Sequence, residues 1–290
     1  MDWLIELERL FTASIEAVCG PRVGVVFSSG VDSTLVAYAA SKFSEVTAYH
    51  VGVVGAEDTK FARRLAGEAP FKVKYVEMAL RDVEEAVPKI LAVWPKPNPV
   101  DVGVGIPMYM ASKAAADDGL NVMLCGQGGD ELFGGYWRYL DSLVKKGEGS
   151  VVDWMEKDWG SAYADNLDRD IAMNKANGCE LRFPYLGGDF SDYVRKMPFD
   201  LKIREGGDLV CDEIGGRRFV RKYALKKLAS RMGVPEYVVN RVKKAAQYGS
   251  GTNKALEKIA REKGYPAKAG DVGRKDYLKM YLEDVLSRQN

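Results

Sequence analysis

Three features of the sequence predict an α/β fold with a doubly wound, mostly parallel sheet. Short Val-rich apolar runs are bounded by Pro and Gly, amphipathic helical stretches alternate with them, and two of the runs open into turns dense in Ser and Gly.

Residues 1–20 alternate charged and apolar side chains as an amphipathic helix does, and Pro21 ends it. RVGVVF is then a buried strand that turns through SSGVDS into a helix. VTAYHVGVV is a second strand, AEDTKFARRLAGEA a helix, FKVKYVEM a third strand and LRDVEEAVPKILAVW a helix. PKPNPVDVGVGIP, dense in Pro and Gly, is expected to be a loop before the helical MYMASKAAADDG. NVMLCG is a fourth buried strand that delivers GQGGDELFGGYWRY. Beyond about residue 140 the strand signal fades. WMEKDWGSAYADNLDRDIAMNKANG, RRFVRKYALKKLASRMG and NKALEKIAREKG are expected as helices, with LRFPYL as a short extended piece. The expected organisation is therefore a helix over 1–20, an α/β core over 21–140 and a mainly helical part over 141–290.

Composition narrows the function classes. The 290 residues, 47% apolar, suffice for one large domain or a core with a smaller helical one. A formal charge of +1 with 29% charged residues gives no global field for nucleic acid or an anionic membrane, so nucleic acid is not an expected partner. No apolar run approaches the roughly 20 residues of a membrane span, and the N-terminus does not read as a signal peptide. A cytoplasmic enzyme is the expectation. Cys19, Cys125, Cys179 and Cys211 are too dispersed for a zinc site or a disulfide framework, and the single His50 ends an apolar run as a strand residue would.

Three segments carry candidate chemistry. Ser28-Ser29-Gly30-Val31-Asp32-Ser33 joins a strand to a helix start, where backbone N–H groups, serine hydroxyls and the helix dipole suit phosphate oxygens. The plainer alternative is that Ser-Asp-Ser only caps the helix. Gly126-Gln127-Gly128-Gly129-Asp130-Glu131 follows a strand end, where open α/β sheets place ligands. Gly128 and Gly129 let backbone approach a ligand, and Asp130 can join Asp32 on a magnesium ion bridging a triphosphate. Lys222 to Lys244 is basic, and by itself reads most simply as a solvated helix face.

The first segment resembles the PP-loop, S-G-G-x-D-S, of enzymes that cut ATP between its α and β phosphates; the Lys of a Walker A sequence is absent. Ser29 replaces a Gly of that pattern, which is mild at negative φ and matters at positive φ. The second segment, extended through Leu132-Phe133-Gly134-Gly135-Tyr136, resembles G-x-G-[SG]-D-E-x-F-G-G-Y of the asparagine synthetase synthetase domain and its relatives, including β-lactam synthetases. Most of the chain can be laid over that domain in order. Pro107-Met108-Tyr109 is similar to the segment opening the helix before the signature strand. Glu180-Leu181-Arg182-Phe183-Pro184-Tyr185-Leu186 is similar to the family's E-x-R-x-P-[FY]-L.

The resemblance implies an adenine-nucleotide fold and two half-reactions. A carboxylate, most simply the side chain of aspartate, attacks the α-phosphorus of Mg-ATP to release pyrophosphate, and ammonia or an amine then displaces AMP. It implies ATP and pyrophosphate contacts at Ser28, Ser29, Gly30, Asp32, Ser33, Gly128 and Gly129, metal contacts at Asp32 and Asp130, and backbone contacts to adenine near Val51. Lys222 and Lys243 match two phosphate-neutralising lysines, with Lys244 beside the second. Arg182, with Glu180, is the candidate for holding a substrate carboxylate, an ion pair between the two being the alternative. Gln127 stands where asparagine synthetases usually carry an acid, which bears on the amine step. Met1-Asp2 supplies no cysteine for an N-terminal glutaminase, so free ammonia, a separate glutaminase subunit or another amine is expected. A homo-oligomer is left open, and a tRNA-modifying adenylase or a non-catalytic paralogue remain the alternative functions.

Overall fold

The computed structural model describes residues 3–241 and 246–289. Five strands form the central parallel sheet: β1 (Arg22–Val26), β2 (Glu45–Val53), β3 (Lys72–Met78), β4 (Val122–Leu124) and β5 (Glu180–Arg182). Their spatial order is β3-β2-β1-β4-β5, with every neighbouring pair parallel. The expected doubly wound α/β architecture is the one adopted. LRFPYL contributes more than an extended piece, since Glu180–Arg182 pairs with Val122–Leu124 as the fifth strand.

Both faces of the sheet are covered at its centre, which explains why β1, β2 and β4 read as apolar runs, whereas the edge strand β3 leaves Lys72, Lys74 and Glu77 exposed. On one face Val23 and Val25 are fully buried in a cluster with Phe11 of the helix Trp3–Val18 and Leu35 of the helix Val31–Ala40. On the other, Tyr49, Val51 and Met123 pack with the helices Leu80–Val93, Pro99–Asp117 and Thr252–Glu262. Each fully buried Val or Leu stabilises the fold by roughly 2 kcal/mol relative to exposure. Gly24 of β1 is small for a packing reason: a Cβ there would lie 2.2 Å from the Met123 sulfur.

Two elements differ from the sequence expectation. The stretch expected as a loop from Pro95 to Pro107 is largely helix, Pro99–Asp117. The Asn98 side chain accepts from the Val100 and Asp101 N–H groups at 2.8 and 3.4 Å, and Pro99 sits at the first helical position, where a missing N–H is harmless. Its internal glycines serve close packing; a Cβ on Gly105 would approach Ile90 at 3.2 Å and one on Gly103 would approach Gln247 at 3.2 Å.

The second difference is a three-stranded antiparallel sheet within the C-terminal half, built from β6 (Ile203–Glu205), β7 (Asp212–Ile214) and β8 (Arg217–Arg221) in the order β6-β8-β7. RRFVR is therefore a strand, and the helix expected to start there begins at Tyr223. Gly215 and Gly216, both at positive φ (58° and 73°), form the two-residue turn between β7 and β8. The rest of this half is helical, including a π turn, Tyr163–Leu167, between the helices Glu148–Ala162 and Asp168–Lys175.

Among the described residues no helix is long and apolar enough to cross a membrane. All four cysteines are free thiols.

Candidate active site

β2 and β3 extend the sheet to one side of β1, and β4 and β5 to the other, so the chain leaves the C-terminal ends of β1 and β4 side by side. The register Val25↔Leu124 fixes this. Such a switch point opens a crevice above the sheet. Into it run the Ser28–Gly30 turn, entering the helix Val31–Ala40, and the Gly126–Gly128 turn, entering the short helix Gly129–Phe133.

The two turns are locked together by missing side chains. A Cβ on Gly126 would lie 2.9 Å from both the Asp32 Cβ and the Ser33 N, and one on Gly129 would lie 2.6 Å from Asp32 Oδ1. On Gly135 it would lie 1.8 Å from Asp130 Oδ1 and 2.2 Å from Lys222 Cε. The run of glycines in the signature is thus the space that Asp32, Asp130 and Lys222 occupy.

Lys222 comes from the junction of β8 with the helix Tyr223–Arg231, at a left-handed φ of 57°. Its Nζ lies 2.5 Å from Asp32 Oδ1 and 2.8 Å from Asp130 Oδ1. Burial alone would lower its pKa, but Asp130 and Asp32 outweigh that and hold it above the usual lysine value, so it is a fixed cation. The small antiparallel sheet aims it. The Lys222 N–H donates to the Phe133 carbonyl at 3.2 Å, and neighbouring Arg221 donates to the Gly135 carbonyl at 2.6 Å while gripping Asp212 through both carboxylate oxygens at 2.7 and 2.9 Å.

The first turn is held by hydroxyls. Ser33 Oγ accepts from the Ser28 N–H at 3.2 Å and lies 3.1 Å from Ser28 Oγ, which accepts from the Gly30 N–H at 3.4 Å. Ser29 is fully buried at φ 56°, the sign at which a serine in place of glycine matters. A left-handed non-glycine residue costs about 1–2 kcal/mol. Its hydroxyl offsets this, with the Ser28 and Asp58 carbonyls at 2.6 and 3.1 Å as acceptors and Arg241 donating to it at 2.8 Å. Arg241 also pairs with the buried carboxylate of Asp58.

Ser28, Gly30, Asp32 and Lys222 line one cleft together with Asp58, Gly135, Val210, Cys211, Asp212, Arg221, Lys226 and Arg241. Asp130 joins them through Lys222. Gly129 lies against Asp32, and Gly128, at φ 92°, against Leu186 and Tyr185. Val51 is buried within β2. Lys243 and its neighbour Lys244 lie outside the described residues. Gln127 does not line the cleft; its Nε2 donates to Asp170 Oδ2 at 2.6 Å.

Arg182 and Glu180 stand apart from the cleft. The Arg182 guanidinium pairs with Glu180 at 2.9 and 2.7 Å and donates to the Val18 carbonyl at 3.0 Å, at the C-terminal end of the first helix where a cation suits the dipole. From the same E-x-R-x-P-[FY]-L segment it is Tyr185, fully buried, that reaches the start of the helix Val31–Ala40, donating to the Asp32 carbonyl at 3.1 Å.

Sequence reasoning missed Asp58, Arg221, Asp212, Lys226 and Arg241. The Gly215-Gly216 pair between short runs was the available hairpin signal for Arg221 and Asp212. Asp58 and Arg241 carry no such signal, being 183 residues apart.

The asparagine synthase family model matches residues 6–161 and 144–284, nearly the whole chain. The chain belongs to the asparagine synthase family. A putative glutamine-hydrolyzing asparagine synthetase of Methanocaldococcus jannaschii is 37% identical over 266 residues, covering 85% of this chain and 49% of that protein. A probable glutamine-hydrolyzing asparagine synthetase of Dictyostelium discoideum is 24% identical over 70% of this chain and 38% of its own length. An asparagine synthetase domain-containing protein of Drosophila melanogaster is 27% identical over 54% and 27%. This asparagine synthase family chain spans about half the length, or less, of the curated relatives it matches. Within the matched range, Gly126, Gly129 and Gly135 are the positions that make room for Asp32, Asp130 and Lys222.

Proposed function

We propose that the chain is an ATP-dependent amide-forming ligase. It activates a carboxylate, that of the aspartate side chain in the simplest case, by attack on the α-phosphorus of ATP with release of pyrophosphate, and transfers ammonia or an amine to give the amide, asparagine, and AMP. The observation that carries this reading is the meeting of Asp32, Asp130 and Lys222 at the β1/β4 switch point, beside a serine-rich turn that opens a helix.

The geometry supports a division of labour. The Ser28–Gly30 turn and the first N–H groups of the helix Val31–Ala40 suit phosphate oxygens. Lys222, already a fixed cation, stabilises negative charge as it grows on the phosphates during attack and pyrophosphate departure. Lys243, two residues after Arg241 in sequence, is proposed for the same duty. Asp32 and Asp130 are the carboxylates that would hold a magnesium ion, through the faces they do not turn to Lys222, with phosphates and waters completing its shell. Among the described residues no set of three or more acidic, His or Cys side chains is gathered to hold a metal without a ligand. Bound there, magnesium would neutralise triphosphate charge. No covalent enzyme intermediate is called for; catalysis rests on positioning and charge.

The test is pyrophosphate release from Mg-ATP with aspartate, with and without ammonium, followed by mass analysis of the products. Asparagine formed in proportion to pyrophosphate is the expected result. Pyrophosphate without asparagine would keep the activation step and replace the acid or amine; no pyrophosphate with aspartate or a panel of other acids would sink the reading.

A further inference from the structure

Lys226 lies one turn beyond Lys222, on the same side of the helix Tyr223–Arg231. It is 9% exposed and lines the cleft with Asp32 and Gly30. Each other cation of that wall is matched. Lys222 has Asp32 and Asp130, Arg221 has Asp212 and the Gly135 carbonyl, and Arg241 has Asp58 and Ser29. Asp212 is the acid near Lys226, yet both its oxygens are taken up by Arg221. Among the described residues nothing accepts a hydrogen bond from Lys226 Nζ and no carboxylate pairs with it.

The stem of Lys226 is buried while its ammonium stays open to the cleft, so an anion entering there supplies the acceptor that the described residues do not. We propose that Lys226 is an oxyanion subsite of this cleft, binding an anionic group of the ligand that does not react: a phosphate oxygen of the triphosphate, or a second carboxylate of the acid. Resting on the ligase reading, this assigns the cleft a second, unneutralised positive point one helical turn from the Asp32–Lys222–Asp130 cluster. Val210 and Cys211 supply the apolar edge beside it.

Calorimetric binding of Mg-ATP, inorganic pyrophosphate and, with a non-hydrolysable ATP analogue present, aspartate tests the proposal. The proteins compared are wild type, Lys226→Met, Lys226→Arg and Lys227→Met, the last altering a lysine of the same helix that pairs with Asp208 instead. Lys226→Met is expected to weaken at least one probe by about tenfold or more, as loss of a charge-assisted hydrogen bond does. Lys226→Arg should retain most of that binding and Lys227→Met all of it. A loss on ATP and pyrophosphate assigns the phosphate oxygen; a loss on aspartate alone assigns the carboxylate. Without ligand, Lys226→Met should melt no lower than wild type, because it keeps the buried stem and removes an ammonium that holds no protein partner. Unchanged binding of all three probes, or no binding even by wild type, overturns the subsite, as does a lowered melting temperature with unchanged affinity. If pyrophosphate binding depends on Lys226 but no acid elicits pyrophosphate release, the subsite stands and the ligase reading falls.

Discussion

Gln127 donates its amide N–H to Asp170 at 2.6 Å, and Asp170 is fully buried. Burial pushes the Asp170 carboxyl up, while Arg169 at 2.9 Å and Gln127 act in the opposite direction. Arg169 is itself buried and reaches Asp101 at 3.0 Å. A carboxylate only accepts, so an amide at position 127 is the side chain that satisfies Asp170. An acid at position 127 would meet this buried charge.

The charge arrangement makes Gln127→Glu destabilising, by roughly 3 kcal/mol or through uptake of a proton at neutral pH. Gln127→Glu combined with Asp170→Asn moves the charge without doubling it and should recover much of the loss. Thermal melts of the single and double variants check this; a double variant no better than Gln127→Glu would show that the two residues are not coupled.

Removing the Lys222 charge leaves Asp32 and Asp130 facing one another across the cleft. Lys222→Met is expected to lower ATP-dependent pyrophosphate release by about 100-fold or more, the usual scale for a lost transition-state charge contact. Steady-state rates on protein shown by circular dichroism to be folded are the measurement, and a rate within a few-fold of wild type would remove Lys222 from the site.

Gly135→Ala places a Cβ 1.8 Å from Asp130 Oδ1 and 2.2 Å from Lys222 Cε, so both side chains must move. Activity should fall at least about tenfold while the melting temperature drops by less than expected of a core cavity, since the strain sits at the cleft wall. Gly20→Ala, where a Cβ meets nothing within 4 Å, is the control and should leave both unchanged.

Ser29→Ala keeps the left-handed φ of 56° but loses the hydroxyl that joins Ser28, Asp58 and Arg241. A loss of roughly 1–3 kcal/mol is expected by chemical denaturation, from the strain no longer offset and the buried hydrogen bonds lost to the Ser28 and Asp58 carbonyls and to Arg241. Ser29→Gly should lose less, because glycine adopts that φ freely.

His50 is buried between the Phe27 carbonyl and Thr59 Oγ1, and burial lowers its pKa from 6.5 to about 4. A depressed folded pKa means its contribution to stability is complete above pH 6.5 and declines as pH falls toward 4. The slope approaches 1.4 kcal/mol per pH unit, for a total on the order of 3 kcal/mol. Denaturation curves of wild type and His50→Asn should diverge most above pH 6.5 and converge toward pH 4; parallel curves would assign the acid sensitivity elsewhere.

The α/β class, the first four strands of the parallel core and both turns at the cleft were legible in the sequence. Val-rich runs bounded by Pro and Gly, and glycines in register, are local signals that need no partner to be read. What tertiary structure decided was the company those residues keep. Lys222 reaches Asp32 across 190 residues because a small hairpin, announced only by Gly215-Gly216, aims β8 at the cleft. Arg182 was legible as a guanidinium able to hold a carboxylate, but the carboxylate it holds is its strand neighbour Glu180, and Tyr185 reaches the Asp32 backbone instead. Lys226 resembled any lysine of a solvated helix until the fold buried it without an acceptor. Residue type and spacing fix what a side chain can bind; packing, which brings distant backbone together and removes water, fixes what it meets.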